Sequence, residues 1–168
     1  EHQIICGNGA SELIYGLVRA IRPEKALVVV PSFSEYIRAL RAEDTQMVYY
    51  HLAPERDFIV AEDIMSYLTP DIDMVFLCNP NNPTSSQIDR QSMRIILDTC
   101  KEKGIFVMVD ETYVEFSEKA DEITSIPLTN YYNNIIILRG ISKFFAAPGL
   151  RLGYAICGNH QLLQDIDS

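Results

Sequence analysis

Short apolar runs alternate with amphipathic helical patterns along the whole chain. The strand-like runs are residues 26–30, 47–50, 74–78, 106–109, 135–138 and 152–156, and another apolar run begins just after Glu1. The helical patterns are residues 11–22, 33–41, 61–68 and 89–103. Runs that are apolar at successive positions are typical of strands buried on both faces of a parallel sheet. The alternation therefore predicts an α/β fold of three layers, α/β/α, with a mostly parallel sheet between two layers of helices.

Local signals mark where the predicted helices begin and end. Ser11 or a neighbour is expected to cap the first helix, and Asp89 is expected to cap the fourth. Gly104 directly follows the lysine-containing end of that fourth pattern, which is typical of a helix C-terminus. Residues 117–134 have the most loop-like composition in the chain.

Composition and charge narrow the range of functions. The 168 residues are 48% hydrophobic, which indicates a packed globular domain. The net charge of -9 argues against a nucleic-acid partner or an anionic membrane surface, and no apolar run approaches the length of a membrane span. The chain opens at Glu1 without Met and stops at Ser168 inside a helical pattern. We therefore expect residues 1–168 to be one domain of a longer, cytoplasmic protein.

The cysteines argue against a metal site. They are widely spaced, lie in apolar runs and have no metal-ligand spacing with the three histidines. The four positions are Cys6, Cys78, Cys100 and Cys157. We expect buried free thiols in a reducing compartment.

The segment around Lys143 carries the most informative chemistry. Lys143 follows a strand-like run, lies beside Ser142 and precedes Arg151, which stands in the sequence Pro148-Gly-Leu-Arg-Leu-Gly153. A desolvated lysine near other cationic groups becomes a nucleophilic amine for a carbonyl, and an arginine with a hydroxyl suits a phosphate. Together they fit a Schiff-base lysine beside a phosphate anchor, as pyridoxal 5′-phosphate (PLP) requires. A lone lysine in a solvated loop is the alternative.

A glycine-rich turn, Cys6-Gly-Asn-Gly-Ala-Ser-Glu12, leads into the first predicted helix. Its glycines allow the backbone to approach an anion, and the helix N-terminus offers free N–H groups. Gly9, Ala10 and Ser11 are therefore candidate phosphate ligands. An ordinary turn and a dinucleotide-binding turn are alternatives, but Glu12 replaces the third glycine of the dinucleotide pattern and that function gives Lys143 no role.

Further candidate side chains follow the other strand-like runs, where ligands bind in parallel sheets. Phe33 could lie over a flat ring, and Asn82, in Asn79-Pro-Asn-Asn-Pro-Thr-Ser85, could donate to a phenolate oxygen. Asp110 could pair with a pyridinium nitrogen, since a buried carboxylate needs a partner, and Tyr113 could donate to the same oxygen as Asn82. Phe33 and Tyr113 could equally be core residues, and Asp110 a helix cap.

Together these segments resemble the fold-type I PLP-dependent aminotransferases, specifically the group of histidinol-phosphate aminotransferases and threonine-phosphate decarboxylases. The resemblance runs from about Gly7 to the C-terminus and rests on five elements in the family's order. They are the glycine-rich turn, the aromatic residue after Pro31, the asparagine-proline segment, the Asp-x-x-Tyr element and the lysine segment. The chain departs from the family pattern at Ser85, where glycine is usual, and at Gly140, where Ser or Thr is common. If the glycine position needs a positive φ, Ser85 is strained. With Gly140, one phosphate hydrogen bond of the family is expected to be either missing or supplied by water.

The resemblance implies a catalytic set of Lys143, Asp110 and Tyr113. It also implies a cofactor-binding set of Gly9, Ala10, Ser11, Phe33, Asn82, Asp110, Tyr113, Ser142, Lys143 and Arg151. Lys143 would carry PLP and act as general base and acid. The implied reaction transfers an amino group between an amino acid or amino alcohol phosphate and a 2-oxo acid.

The resemblance also implies what this chain does not contain. The family has an N-terminal closing segment and a C-terminal small domain that binds the substrate carboxylate, and its site lies at a homodimer interface. We therefore expect the isolated chain to be inactive and to bind PLP weakly or not at all. Threonine-phosphate decarboxylation on the same site is one alternative function. A non-catalytic PLP-fold sensor domain is another.

Overall fold

The computed structural model describes residues 3–147 and 149–167, where seven strands form one sheet. Glu1, His2, Pro148 and Ser168 lie outside the described residues. The strands are β1 (Ile4–Gly7), β2 (Lys25–Val30), β3 (Gln46–His51), β4 (Met74–Cys78), β5 (Phe106–Asp110), β6 (Ile135–Gly140) and β7 (Gly153–Cys157). Their order across the sheet is β1-β7-β6-β5-β4-β2-β3. Neighbours among β2 to β6 pair in parallel, and β7 is antiparallel to both β6 and β1. The sheet is mostly parallel, as predicted.

Helices cover both faces of the sheet. They are α1 (Ala10–Ile21), α2 (Glu35–Ala42), α3 (Arg90–Lys103), α4 (Ala120–Ile123), α5 (Ile141–Phe144) and α6 (His160–Asp167). Successive strand residues point to opposite faces, so Val28 and Phe76 belong to one buried cluster with α1, α2 and α6. Leu27 and Val75 belong to the other cluster, with α3. The predicted three-layer α/β/α fold is confirmed.

One predicted helix is wrong. Residues 61–68 contain only a short 3-10 helix, Glu62–Ser66. Ile64 and Leu68 are both buried, and their spacing produced the helical pattern. The N–H of Tyr67, however, donates to the carbonyl of Ile64, three residues earlier, at 2.9 Å, so the segment is wound more tightly than an α-helix.

The helix ends give a mixed result. Asp89 caps α3 as predicted, because its carboxylate accepts the N–H groups of Gln91 and Ser92. Gly104 ends α3 in the left-handed region, with φ 73°. The prediction for α1 is wrong, because Ser11 lies inside the helix and Gly9, at the N-cap position, provides no side chain. The start of α1 therefore keeps backbone N–H groups for another partner.

The described cysteines are free thiols, and Cys78, Cys100 and Cys157 are buried. The expectation of burial is wrong for Cys6, which is exposed because β1 lies at an edge of the sheet. No helix in the described part of the chain is long and apolar enough to cross a membrane.

Candidate active site

A cavity of about 290 Å³ lies where the carboxyl ends of the central strands face the start of α1. Cys78 and Asp110 are register partners at the ends of β4 and β5, so these two strands end level with one another. Asp110 pairs with Leu138, and β6 continues two residues further to Gly140. All ten predicted cofactor-binding residues line the cavity, together with Cys78, Thr112 and Gly140. The tertiary structure thus brings the predicted side chains to one place, although they come from five separate segments of the chain.

One end of the cavity is suited to an anion. Gly9 has φ 84° and precedes the uncapped N-terminus of α1, where backbone N–H groups and the helix dipole favour negative charge. Arg151 lies against this turn, and a Cβ built on Gly9 would be only 2.9 Å from its Nη2 atom. The flexible guanidinium of Arg151 therefore lies next to the fixed backbone N–H groups at the start of α1.

Two further glycines make this arrangement possible, and sequence reasoning did not identify the role of either. A Cβ on Gly153 would lie 2.6 Å from the backbone nitrogen of Ala10, so β7 reaches the turn only because it has no side chain there. A Cβ on Gly140 would lie 3.0 Å from Cγ2 of Thr112. The space that a family Ser or Thr would need at position 140 is therefore restricted by the Thr112 methyl group.

Asp110 supplies the negative charge of the cavity. Its carboxylate is 4% exposed and accepts three hydrogen bonds: Oδ1 from the backbone N–H of Thr112 (2.9 Å) and from its hydroxyl (2.5 Å), and Oδ2 from the hydroxyl of Tyr36 (2.6 Å). No ion pair to Asp110 occurs within residues 3–147 and 149–167. A buried carboxylate without a cation is costly, so this group fits a cationic N–H donor entering the cavity.

The Asn79–Ser85 turn shows why Asn82 is the asparagine that faces the cavity. The side chain of Asn79 is hydrogen-bonded to the backbone of Ile88 in both directions, at 2.9 and 3.0 Å. The amide of Asn81 donates to the carbonyl of Pro31 and to the hydroxyl of Thr84. Asn79 and Asn81 therefore hold the turn in place.

Ser85 shows the cost of the departure from glycine in this turn. Its φ is 61°, in the left-handed region, so the condition under which we expected strain at Ser85 is met. Its N–H donates to the carbonyl of Asn81 at 2.7 Å. The turn is therefore closed by a bond that requires a strained residue.

Lys143 differs from its predicted environment. It lies in α5, directly after β6, and lines the cavity, but it is exposed rather than desolvated. The neighbouring rings of Phe144 and Phe145 are also exposed, at 47% and 66%. The hydroxyl of Ser142 donates to the carbonyl of Leu150 at 3.2 Å, so its proton is already used to hold the loop that carries Arg151.

Buried groups outside the cavity stabilise its walls. Arg139, at the end of β6, forms an ion pair with Glu111 at 3.1 Å and a second one with Glu115. Burial raises the pKa of Glu111 above its usual range, although Arg139 opposes the shift. This cluster joins the segment after β5 to β6 next to the candidate site, and sequence reasoning missed it because its members are far apart in the chain.

The family model for "Aminotransferase class I and II" matches residues 1–168. The chain belongs to this family. Class I and II aminotransferases are PLP-dependent. The cavity of this family member contains the kinds of group that suit such a cofactor: an arginine beside a helix N-terminus, a lysine and a buried carboxylate.

Individual relatives divide between two activities. The chain is 37% identical to a threonine-phosphate decarboxylase of Salmonella typhimurium over 153 residues, which is 91% of this chain and 42% of that protein. It is also 37% identical to a histidinol-phosphate aminotransferase of Methanococcoides burtonii over 156 residues, 91% of this chain and 41% of that protein. The chain thus spans less than half the length of these curated relatives.

The fold agrees with solved structures of the same family. A histidinol-phosphate aminotransferase from Clostridium acetobutylicum superposes with a TM-score of 0.88 at 32% sequence identity, over 98% of this chain and 48% of that one. Most of this chain therefore follows the fold of that structure closely.

Proposed function

We propose that the complete protein carrying this chain is a PLP-dependent aminotransferase of the histidinol-phosphate type. It would transfer an amino group between an amino acid or amino alcohol phosphate and a 2-oxo acid. The observation that supports this proposal is the placement of Asp110, Lys143 and Arg151 around one cavity of about 290 Å³.

The residues of the cavity divide into binding groups at its two ends. Arg151 and the N–H groups of Ala10 and Ser11 would bind the phosphate, because they combine a guanidinium with a helix N-terminus. The N–H of Gly9 already donates to the carbonyl of Gly7 at 2.8 Å, so Gly9 would contribute by leaving room for the phosphate. Asp110 would accept the N–H of the cofactor's ring nitrogen and keep that nitrogen protonated, and Phe33 would pack against the ring. In this proposal Ser142 positions the Arg151 loop through Leu150 as well as lining the site.

The remaining groups, Asn82, Tyr113 and Lys143, would act on the phenolic oxygen of the cofactor and on protons at the substrate α carbon. Asn82 and Tyr113 would donate to the phenolic oxygen of the cofactor, and Lys143 would hold the cofactor covalently. When bound, the cofactor acts as an electron sink for the substrate α carbon. Once the substrate amine has taken its place on the cofactor, the freed Lys143 amine would take a proton from that carbon as general base and return one as general acid.

Threonine-phosphate decarboxylation is the second candidate, because the Salmonella typhimurium decarboxylase is as similar to this chain as the Methanococcoides burtonii aminotransferase. The cavity residues serve both reactions. The two reactions differ in which bond of the α carbon breaks: the bond to hydrogen in transamination, or the bond to the carboxylate in decarboxylation. Which bond breaks depends on how the substrate is oriented.

Product analysis distinguishes the two reactions. The complete protein would first be loaded with PLP. One sample would then receive histidinol phosphate plus a 2-oxo acid, and a second sample would receive threonine phosphate. Formation of a keto or aldehyde product together with a new amino acid supports the aminotransferase, and CO2 release supports the decarboxylase. A protein that binds PLP but forms neither product contradicts both and favours a non-catalytic sensor.

The proposal includes the assembly and location of the protein. We place the active form in the cytoplasm as a homodimer with a small-molecule substrate. The isolated 168-residue chain is expected to bind PLP weakly and to show no turnover. Turnover by this chain alone would show that the site needs nothing outside it.

A further inference from the structure

Tyr36 connects two groups of the candidate site without lining the cavity. It lies in the first turn of α2, is fully buried, and its hydroxyl donates to Oδ2 of Asp110 at 2.6 Å. Its ring packs edge-to-face on Phe33, with centroids 5.8 Å apart and an interplanar angle of 83°. One side chain thus contacts both the buried acid and the aromatic ring of the site.

The hydrogen bonds of Asp110 leave one acceptor site of its carboxylate unused. A carboxylate has about four lone-pair sites. Thr112 fills two of them on Oδ1, and Tyr36 fills one on Oδ2. The remaining acceptor site is on Oδ2, the oxygen that Tyr36 holds in place.

The hydroxyl of Tyr36 is a permanent donor. Burial, and then the nearby negative charge of Asp110, raise its pKa well above the usual value, so it stays protonated. The adjacent thiol of Cys78 also stays protonated, since burial followed by the charge of Asp110 raises its pKa to about 12. No negative charge therefore arises beside Asp110 from either group.

We infer that Tyr36 is a positioning residue: its hydroxyl orients Asp110 so that a single acceptor site on Oδ2 faces the ring nitrogen of the bound cofactor. This inference rests on the proposed function. It predicts that the Tyr36 hydroxyl affects the cofactor through Asp110 alone, since Tyr36 itself does not line the cavity.

Tyr36→Phe isolates this effect because it keeps the ring on Phe33 and removes only the hydroxyl. Tyr50→Phe is a matched control, since Tyr50 is also buried and also donates to a carboxylate, that of Asp63 at 2.5 Å, but belongs to the opposite buried cluster. Both variants of the complete protein would be checked by thermal unfolding, then loaded with PLP labelled with ¹⁵N at the ring nitrogen.

We expect Tyr36→Phe to move the ring ¹⁵N resonance toward the unprotonated position and to lower kcat by roughly tenfold or more, as expected for the loss of a hydrogen bond to a charged group. Tyr50→Phe should change neither. In an Asp110→Asn background, Tyr36→Phe should have almost no further effect, because the two groups act as a unit.

The outcomes test the role of Tyr36 separately from the proposed function. If the wild-type protein binds PLP and the Tyr36→Phe resonance and kcat match those of Tyr50→Phe, the role of Tyr36 is overturned and the proposed function stands. Equal losses in the wild-type and Asp110→Asn backgrounds would also overturn it. If the wild-type protein binds no PLP, the proposed function is overturned and the inference with it.

Discussion

Arg151 and Gly9 meet at the anion end of the cavity, although they come from nearly opposite ends of the chain. The guanidinium is so close that a Cβ on Gly9 would be 2.9 Å from Nη2, and Gly9 has φ 84°. The turn therefore excludes a side chain at position 9 for two reasons, its backbone conformation and the presence of Arg151.

Replacing Arg151 with Ala should weaken PLP binding at least about tenfold, because a charge-assisted bond to phosphate is worth roughly 1.5–3 kcal/mol. The measurement is the Kd for PLP, by fluorescence titration of the complete protein. Arg19→Ala is the control, since Arg19 is exposed on α1 and does not line the cavity. Unchanged PLP affinity in Arg151→Ala would remove Arg151 from the phosphate site.

Gly9→Ala should reduce PLP affinity as strongly as the loss of Arg151. The added methyl group occupies the space of the guanidinium and strains a backbone with positive φ. Gly104→Ala is the matched control, because Gly104 also has a positive φ, 73°, but a Cβ there meets nothing within 4 Å. Normal PLP affinity in Gly9→Ala would show that the turn can relax around the phosphate.

Lys143→Arg should abolish both turnover and the covalent bond to PLP. The variant keeps a positive charge at the cavity, but a guanidinium does not form the imine. Borohydride reduction of the loaded protein followed by peptide mapping gives the site of attachment. Lys119→Arg, in an exposed position, should retain both properties, and a pyridoxyl group found on another lysine of the wild type would contradict the assignment.

Asp110→Asn should leave PLP bound but reduce kcat severely. The amide has nearly the same size and can still meet Thr112 and Tyr36 in the same space, yet it cannot hold the proton on the ring nitrogen. Absorbance titration measures binding, and steady-state kinetics measure kcat. Activity close to that of the wild type would reduce Asp110 to a structural role.

Ser85→Gly should raise the free energy of unfolding by about 0.5 kcal/mol. The left-handed conformation costs a non-glycine residue roughly 1–2 kcal/mol, and glycine adds an entropic cost of roughly 0.5–1 kcal/mol. Chemical denaturation of the complete protein checks the change. Gly104→Ala should shift stability in the opposite direction by about 1 kcal/mol. A loss of stability in Ser85→Gly would show that the Ser85 side chain contributes more than its backbone costs.

The sequence predicted the location of the candidate site well because the site depends on strand ends. Asn82, Asp110 and Lys143 each follow a buried apolar run, and the carboxyl ends of parallel strands lie at one edge of a sheet. Order along the chain is sufficient for that inference. The prediction failed where two structures share one pattern, as in residues 61–68, where burial of Ile64 and Leu68 fits both an α-helix and a 3-10 turn.

The sequence by itself determined the layered α/β fold, which follows from local periodicity. It also determined the set of side chains around the cavity, which follows from the residue types after each strand together with the resemblance to a known family. Only the tertiary structure decided how those side chains are held. The hydrogen bond from Tyr36 to Asp110, the close approach of Gly153 to Ala10 and the exposure of Lys143 are contacts between segments, or properties of the packed surface. Such features depend on distances in space, and no local pattern of residues encodes them.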